Sequence, residues 1–425
     1  MTEDFLHYIW KHRLFDKSNL ETTQGEKISV EQPGTHNTDA GPDFFNAKIK
    51  IGKTLWAGNV EIHLRSSEWS KHSHDSDKTY DNVILHVVEK HDEEILRGDK
   101  SSVPTLELKD RIDKTYIFNY EKLITSRHRI PCENQISSVS NFAVDHWLER
   151  LLVERLERKS KEIFSLLEKN KNNWEETFYY LLAKNFGFKL NAQPFGELAR
   201  SLPLSVLAKH KNDLKQVEAL LFGMARMLDR NFSEEYPASL KKEFAFLKSK
   251  FKFENSASSP WKFLRLRPAN FPTIRIAQFA QIVHRSSHLF SKILECEKIN
   301  QLRKLFDVSV SEYWLSHYVF EKKSSLSDKN LGTTAVDNII INTMVPLVFS
   351  YGMNRSDERL KERAMNFLEK LSPEKNSIIT KWESLGIRAS NSFRSQALLE
   401  LFNEYCFPKK CLTCGIGNKL IAGLK

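Results

Sequence analysis

The sequence has few cysteines and lacks any long apolar run. Five cysteines in 425 residues argue against a scaffold held by disulfide bonds. The longest apolar stretch, residues 338–353, is interrupted by Asn342, Thr343 and Pro346, and it falls short of the roughly 20 residues that cross a membrane. The opening segment MTEDFLHYIW is acidic, unlike a secretory signal. We therefore expect a soluble, cytoplasmic protein with no membrane partner.

Internal repeats and low-complexity tracts are also missing, and the length indicates two or three domains. Strand patterns dominate the first third of the chain, and helical periodicity follows it. This order predicts an α+β fold, in which an αβββαβ core is followed by a large all-α region. We place the core in residues 1–135, one helical lobe in 136–255 and a second lobe in 256–425, with the segment NSASSP (255–260) as the linker.

Charge is distributed unevenly. The formal net charge is +10, yet residues 1–135 hold 19 basic and 23 acidic residues, whereas the remainder holds 45 basic and 31 acidic residues. Residues 239–304 alone contain 14 basic and 4 acidic side chains. A basic region beside an acidic one suits a polyanionic partner, and nucleic acid is the partner we expect. A solvated basic surface without a ligand is the alternative.

Within the core, an amphipathic helix over residues 4–15 precedes the strand KISVE (27–31). Residues 44–51 and 55–64 flank a Gly52-Lys53 turn and predict a β-hairpin. The run NVILHVVE (82–89) predicts a strand buried on both faces, and VPTLEL (103–108) predicts an edge strand.

The candidate catalytic residues lie on this hairpin. It would place Asp43 beside Glu61, and the strand period of two puts His63 on the same face as Glu61. Two carboxylates so placed can bind Mg²⁺ or Mn²⁺, and a metal at this position can activate water for hydrolysis. We predict Asp43, Glu61 and His63 as catalytic residues, the two carboxylates as metal ligands, and Asp39, His74 and Lys48 as auxiliary residues.

Pro42-Asp43 followed by Glu61-Ile62-His63, in this element order, resembles the signature of the PD-(D/E)XK phosphodiesterases. The resemblance implies a metal-dependent nuclease. Where that signature has lysine, this chain has His63, and Lys48 or Lys50 on the facing strand could supply the missing charge. The alternative is a degenerate nuclease fold that binds nucleic acid or acts as a scaffold without cleaving it.

A different interpretation uses the string His72-Ser73-His74-Asp75, which resembles the HxHxD motif of metallo-β-lactamase-like hydrolases. Residues 90–135 do not offer the further ligands that such a fold needs. We therefore assign His72 to a polar loop, expect His74 to reach a metal or a phosphate, and treat His86 as a hydrogen-bonded core residue.

The last three cysteines, Cys406, Cys411 and Cys414, have a spacing typical of zinc or iron–sulfur sites. Cys132 is the best candidate for a fourth ligand. This arrangement resembles that of some exonucleases of the PD-(D/E)XK superfamily, and the resemblance implies a 4Fe–4S cluster. Buried thiols without a metal are the alternative, and we assign Cys296 to that class.

The segment WKFLRLRPANFPTIRIAQF (261–279) interleaves Arg265, Arg267 and Arg275 with aromatic residues. Such arginines can bind the phosphates of nucleic acid, although core and surface roles explain the same pattern. The strings GPDFFNAKI, GNVEIHLRSSEW, LRLRPANFP and CLTCGIG resemble a bacterial family of unknown function over nearly the whole chain. That resemblance implies no activity.

Overall fold

The computed structural model describes residues 1–253 and 259–423, which form two compact units. The first unit contains Met1–Leu148, Lys381–Ile387 and the chain from Leu399 onward, and the second contains Glu149–Thr380 and Arg388–Leu398. Most of the predicted linker, and the predicted lobe boundary after residue 255, lie outside the described residues. The division into three domains therefore stays a prediction.

The first unit is built on a mixed sheet of six strands. Its helices and strands, in chain order, are α1 (Glu3–His12), β1 (Ile28–Gln32), β2 (Thr35–His36), β3 (Phe44–Ile51), β4 (Thr54–Arg65), α2 (Glu68–Lys71), β5 (Val83–Lys90), β6 (Thr105–Glu107) and α3 (Lys114–Ile124). The strands lie in the order β1-β3-β4-β5-β6, and β2 pairs with β3 outside this path. The predicted α+β class is confirmed.

The hairpin of β3 and β4 turns at Gly52, whose φ of 58° favours glycine. Its register pairs Ile51 with Thr54 and Phe44 with Val60, and a bulge at Asn46 interrupts it. The bulge allows Asp43 to lie opposite the end of β4 that carries Glu61. This end of β4 is buried from Val60 to His63, where β5 pairs with the edge of β4 that β3 leaves free.

Strands β4 and β5 are parallel, and the chain between them crosses from one end of the sheet to the other. The crossing contains α2 and a 3₁₀ turn at Lys78–Tyr80. Trp69 and Tyr80 are buried in it and pack with Val83, Ile95 and Val103. This packing fixes the loop between α2 and the 3₁₀ turn, where His72 and His74 lie.

Helices dominate the described part of the chain that follows. They are α4 (Asn141–Lys169), α5 (Trp174–Phe186), α6 (Phe188–Ser201), α7 (Leu204–His210), α8 (Leu214–Met224), α9 (Glu235–Phe251), α10 (Pro272–Arg285), α11 (Leu289–Glu295), α12 (Ile299–Leu305), α13 (Glu312–Leu315), α14 (Thr333–Ile339), α15 (Val345–Arg355), α16 (Glu358–Glu369), α17 (Ser377–Ser384), α18 (Ser392–Glu400) and α19 (Gly415–Ile421). One short strand pair, β7 (His317–Val319) with β8 (Lys322–Lys323), interrupts them. Within the described residues, no helix combines the length and the apolar character needed to span a membrane.

The end of the chain belongs to the first unit. Asn418 accepts a hydrogen bond at its carbonyl from Tyr8 at 3.4 Å, and the carbonyl of Ile421 accepts one from Asn119 at 3.3 Å. Ile416 and Ile421 are buried. Helix α19 is therefore part of the same core as α1 and α3, although more than 290 residues separate α19 from α3.

Candidate metal centre

Asp43 and Glu61 lie side by side at the open end of the hairpin. The backbone N–H of Asp43 donates to Oε2 of Glu61 at 3.1 Å, and the N–H of Ile62 donates to Oδ2 of Asp43 at 2.9 Å. Oδ2 of Asp43 also lies 3.3 Å from Nε2 of His7 on α1. The structure thus brings together the two predicted carboxylates, and it adds a histidine that the sequence reasoning did not consider.

Three histidines form a cluster beside the Glu61 carboxylate. Ring nitrogens of His63, His72 and His74 all lie within 4.8 Å of one another. Nε2 of His63 is 3.2 Å from Nδ1 of His72, and Oε1 of Glu61 is 3.3 Å from Nε2 of His74 and 3.7 Å from Nε2 of His63. His72, which we had assigned to a polar loop, is therefore part of the cluster.

Neighbouring side chains hold the histidine rings in place. Nδ1 of His63 lies 2.9 Å from Nε2 of His86, which is fully buried in β5. The ring of Tyr80 stacks on His74 with centroids 3.8 Å apart, and Trp69 contacts the same ring edge-on. The cluster is thus supported by side chains from a strand and from the crossing loop, as metal-binding histidines are in proteins.

Burial keeps His63 uncharged. It lowers the pKa of His63 to about 3, and the nearby His74, His72 and His7 act in the same direction. The pKa of His86 is lowered well below its usual range, again chiefly by burial. An uncharged imidazole is the form that binds metals, because its lone pair is free. His63 therefore needs no proton loss to become a ligand at neutral pH.

The opposite situation holds at His7. Burial alone would lower the pKa of His7, but its hydrogen bond to Asp43 and the charge of that carboxylate raise it above the usual value. Burial raises the pKa of Glu61, an effect that His74 partly offsets. The site therefore combines the neutral imidazoles of His63 and His86 with His7, whose raised pKa favours a proton.

The donors fit a transition metal. Two nitrogens bound at 2.0–2.1 Å to a tetrahedral zinc ion lie roughly 3.3 Å apart, close to the donor separations of 3.2, 3.3 and 3.7 Å found here. Nε2 of His74 is buried, and the Oε1 atom of Glu61, 3.3 Å away, is the polar atom that faces it. The three imidazoles thus lie close enough together to hold one metal, with Glu61 beside two of them.

Two of the predicted auxiliary residues lie elsewhere. Asp39 is exposed in the loop between β2 and β3, where its N–H donates to Asn37. Lys48 is exposed on β3 opposite Ala57, beyond the bulge from Asp43. His74 is the auxiliary residue that the structure places in the cluster. His7 was missed because only the packing of α1 on the sheet brings it to Asp43.

The three predicted nucleic-acid-binding arginines differ in environment. Arg265 and Arg267 are exposed, whereas Arg275 is buried in α10, with 6 % of its surface accessible. Arg275 donates to Oε1 of Gln278 at 2.9 Å and to Oδ1 of Asn270 at 2.5 Å. Of these three arginines, only Arg265 and Arg267 therefore place a charge on the surface.

The structure brings together four cysteines, from the turn at residue 132 and from the last segment of the chain. Cys132, Cys406, Cys411 and Cys414 are buried and form no disulfide. Burial raises the pKa of Cys132 and Cys406, and so does the negative charge that the neighbouring thiols in the group would carry. Cys296 is also buried and free, but it belongs to the second unit.

The loop around Cys414 is shaped to direct N–H groups at sulfur. Burial raises the pKa of Cys414, while the N–H groups of Gly417 and Ile416, which donate to its sulfur, act in the opposite direction. A Cβ on Gly417 would lie 2.2 Å from the carbonyl oxygen of Cys411, and one on Gly415 would lie 2.7 Å from the ring of Trp147. Such N–H groups stabilise a thiolate, the form that binds metals.

Comparisons with known proteins give a family and no activity. Neither the curated proteins nor the solved structures yielded a match to this chain. A family model described as "Protein of unknown function (DUF2851)" matches residues 3–377, which confirms the resemblance to a family of unknown function, and the chain belongs to that family.

Proposed function

We propose that this protein is a metal-dependent hydrolase that cleaves phosphodiester bonds in nucleic acid. The observation that carries the proposal is the cluster of His63, His72 and His74, two of which, His63 and His74, also lie within 4 Å of the carboxylate of Glu61. Clusters of imidazoles beside a carboxylate are typical of hydrolytic metal sites. The pairing of Asp43 with Glu61 at a hairpin supports the phosphodiester substrate, since it resembles the PD-(D/E)XK arrangement in element order.

The donor set changes the metal that we expect. Mg²⁺ prefers carboxylate, carbonyl and water oxygens, whereas imidazole suits zinc, iron and related ions. The Asp43 carboxylate already accepts a hydrogen bond from Ile62 and faces His7. We therefore propose Zn²⁺ or Mn²⁺ at the three histidines and Glu61, in place of Mg²⁺ on two carboxylates alone.

Each residue then has a distinct role. A metal bound here would polarise the scissile phosphate and make water more acidic. His86 orients His63 through the contact of 2.9 Å. Asp43 raises the pKa of His7, which favours a proton on this ring, and in that form His7 can protonate a leaving oxygen. Tyr80 and Trp69 hold His74 and exclude water from one side of it.

The test combines metal binding with cleavage. Metal-stripped protein is titrated with Zn²⁺, Mn²⁺ and Mg²⁺ and incubated with single- and double-stranded DNA and RNA. We expect cleavage with Zn²⁺ or Mn²⁺, and a loss of at least about 100-fold in rate for His74→Ala and Glu61→Gln. His146→Ala, at an exposed histidine of α4, is the matched control and should behave like the wild type. Unchanged cleavage in both site variants would refute the assignment.

One observation favours a second candidate, a nucleic-acid-binding protein that does not cleave. The residue at the position of the expected lysine is His63, whose low pKa leaves it without positive charge at neutral pH. This candidate predicts binding that weakens steeply with salt but no turnover. Asp43→Ala and Glu61→Ala should then bind nucleic acid as well as the wild type does.

We further propose that Cys132, Cys406, Cys411 and Cys414 hold a structural metal centre. A single zinc ion would keep its sulfurs roughly 3.8 Å apart, whereas across the described chain no three of these thiols come within 4.8 Å of one another. The wider spacing favours a 4Fe–4S cluster over one zinc ion. Iron, sulfide and zinc analysis of protein purified without oxygen decides between them. Absence of all three elements, with unchanged stability of Cys132→Ser, would contradict the proposal.

A further inference from the structure

A cavity of about 700 Å³ lies in the second unit, whereas the candidate metal centre belongs to the first. It is bordered by the junction of α5 and α6, the segment before α10 and the start of α14. Three of its lining side chains are cationic, namely Lys189, Arg267 and Arg275, and none of the described residues that line it is acidic. The volume is that of a pocket for a small organic ligand, and the charge favours an anion.

Arg275 is the main reason to expect an anionic ligand there. Its guanidinium is buried, and its two described hydrogen-bond acceptors are the neutral amides of Gln278 and Asn270. Nε of Arg275 has no partner among the described atoms. A buried charge with no counter-ion is strongly unfavourable. Burial is the cause that lowers the pKa of Arg275 to about 10, so the side chain still carries its charge at neutral pH.

Beside Arg275, the backbone of α6 departs from regular helical geometry at two residues that line the cavity. Phe188 has a φ of +48°, which is rare for a residue with a side chain, and Asn191 interrupts the helical geometry of α6. The distortion places the Phe188 ring 4.7 Å from the guanidinium carbon of Arg275. Asn191 is fixed by hydrogen bonds of 2.9 and 2.8 Å with the backbone of Lys262. The arginine is therefore held in one orientation beside the cavity.

We propose that this cavity binds a small organic phosphate of about nucleotide size, with Arg275 as the buried anchor for the phosphate. Lys189 and Arg267 are exposed, and with Arg275 their positive charges balance the one or two negative charges of a phosphate group. Phe186, Leu190 and Leu266 line the remaining space and contact the uncharged part of the ligand. The proposal concerns a site distinct from the hydrolase centre and stands without it.

The test is equilibrium binding by calorimetry and thermal shift, on the full chain with EDTA present so that no metal-dependent turnover occurs. Adenosine monophosphate, ribose 5-phosphate and inorganic phosphate are the probes, and adenosine is the uncharged comparison. We expect a rise in melting temperature with adenosine monophosphate and none with adenosine. Arg275→Met should weaken binding about tenfold or more, since a hydrogen-bonded charge is lost.

Arg275→Met replaces a buried charge by an apolar chain, a change that is often tolerated. Arg267→Ala is a second variant, chosen because Arg267 is exposed and its replacement should not disturb folding. It should weaken binding several-fold. The matched control is Arg265→Ala, which removes an exposed arginine that does not line the cavity and should bind like the wild type. Glu61→Gln should also bind normally, so that failure here is distinguishable from failure of the hydrolase.

Three results would overturn the proposal. The first is the absence of binding by any phosphate probe at millimolar concentration. The second is equal binding by the wild type, Arg275→Met and Arg267→Ala. The third is Arg275-dependent binding of a single-stranded oligonucleotide without binding of adenosine monophosphate, which would identify the ligand as a nucleic-acid strand.

Discussion

Glu218 is a buried carboxyl group whose ionisation opposes folding. It accepts hydrogen bonds from Tyr236 and Ser311, both at 2.8 Å, yet burial raises its pKa to about 7. In the unfolded chain the pKa returns to its ordinary value near 4.5. Between these two pKa values, Glu218 is protonated in the folded protein but ionised in the unfolded chain. The stabilisation that results is fully present below about pH 4.5 and is lost as the pH rises through about 7.

Replacing this carboxyl group should therefore flatten the pH profile. For Glu218→Gln we expect a free energy of unfolding that falls less than that of the wild type between about pH 5 and pH 8, by up to about 3 kcal/mol. The measurement is urea unfolding at several pH values. Glu235→Gln is the control, because the Glu235 side chain is exposed to solvent. Equal pH profiles for wild type and Glu218→Gln would contradict the assignment of this proton to Glu218.

His86 provides a second test at the scale of one residue. Its Nε2 faces Nδ1 of His63, and the partner of a metal-binding histidine fixes which ring nitrogen is free to bind. For His86→Leu we expect metal affinity to fall about 10- to 100-fold while the fold is kept. Competition with a chromophoric chelator measures the affinity. His86→Gln retains a polar partner and should recover part of it, whereas unchanged affinity in His86→Leu would mean that His86 has only a packing role.

At the scale of elements, the strands were the most predictable part. The predicted segments 44–51, 55–64 and 82–89 agree with β3, β4 and β5 to within one residue at each end. Local patterns suffice there because alternation and the glycine turn fix the register of a hairpin. Asp43 and Glu61 could be paired from the sequence for the same reason.

The crossing loop between β4 and β5 could not be predicted in this way. The position of His72 depends on where Trp69 and Tyr80 pack, and that packing involves Ile95 and Val103, more than 20 residues away. His7 reaches Asp43 through the docking of α1 on the sheet. Contacts of this kind are not encoded in a local periodicity, so the sequence indicated the carboxylates of the site but not all of its histidines.

The loop that ends in α19 gives a prediction about an element. A Cβ on Gly417 would lie 2.2 Å from a backbone oxygen, which cannot move aside as a flexible side chain can. We expect Gly417→Ala to lower the melting temperature and to reduce any metal bound by the cysteines. Gly332→Ala is the comparison, because a Cβ added to Gly332 would have no atom within 4 Å. Melting temperatures measured side by side, with metal analysis, provide the test, and equal values for the two variants would show that this loop can relax.

At the scale of the whole molecule, the two ends of the sequence contribute to one unit. The first unit includes the sheet, Cys132 and everything from Leu399 onward, although the second unit accounts for most of the chain between them. The acidic balance of residues 1–135 and the basic balance of the remainder therefore do not map simply onto the two units. A charge count along the sequence cannot show this, because it carries no information on which distant segments fold together.

Shortening the chain tests this arrangement. A protein that ends after Cys406 loses α19, in which Ile416 and Ile421 are buried, and it loses the hydrogen bonds from Tyr8 and Asn119. Full burial of two such side chains is worth about 3–6 kcal/mol. We expect amide hydrogen exchange to accelerate in the strands β4 and β5 while the amides of α8 and α10 in the second unit keep their protection. A chain ending after Gly423 is the control and should exchange like the wild type. If both units lost protection equally, the molecule would unfold as one cooperative body, and the division into two units would describe its packing but not its stability.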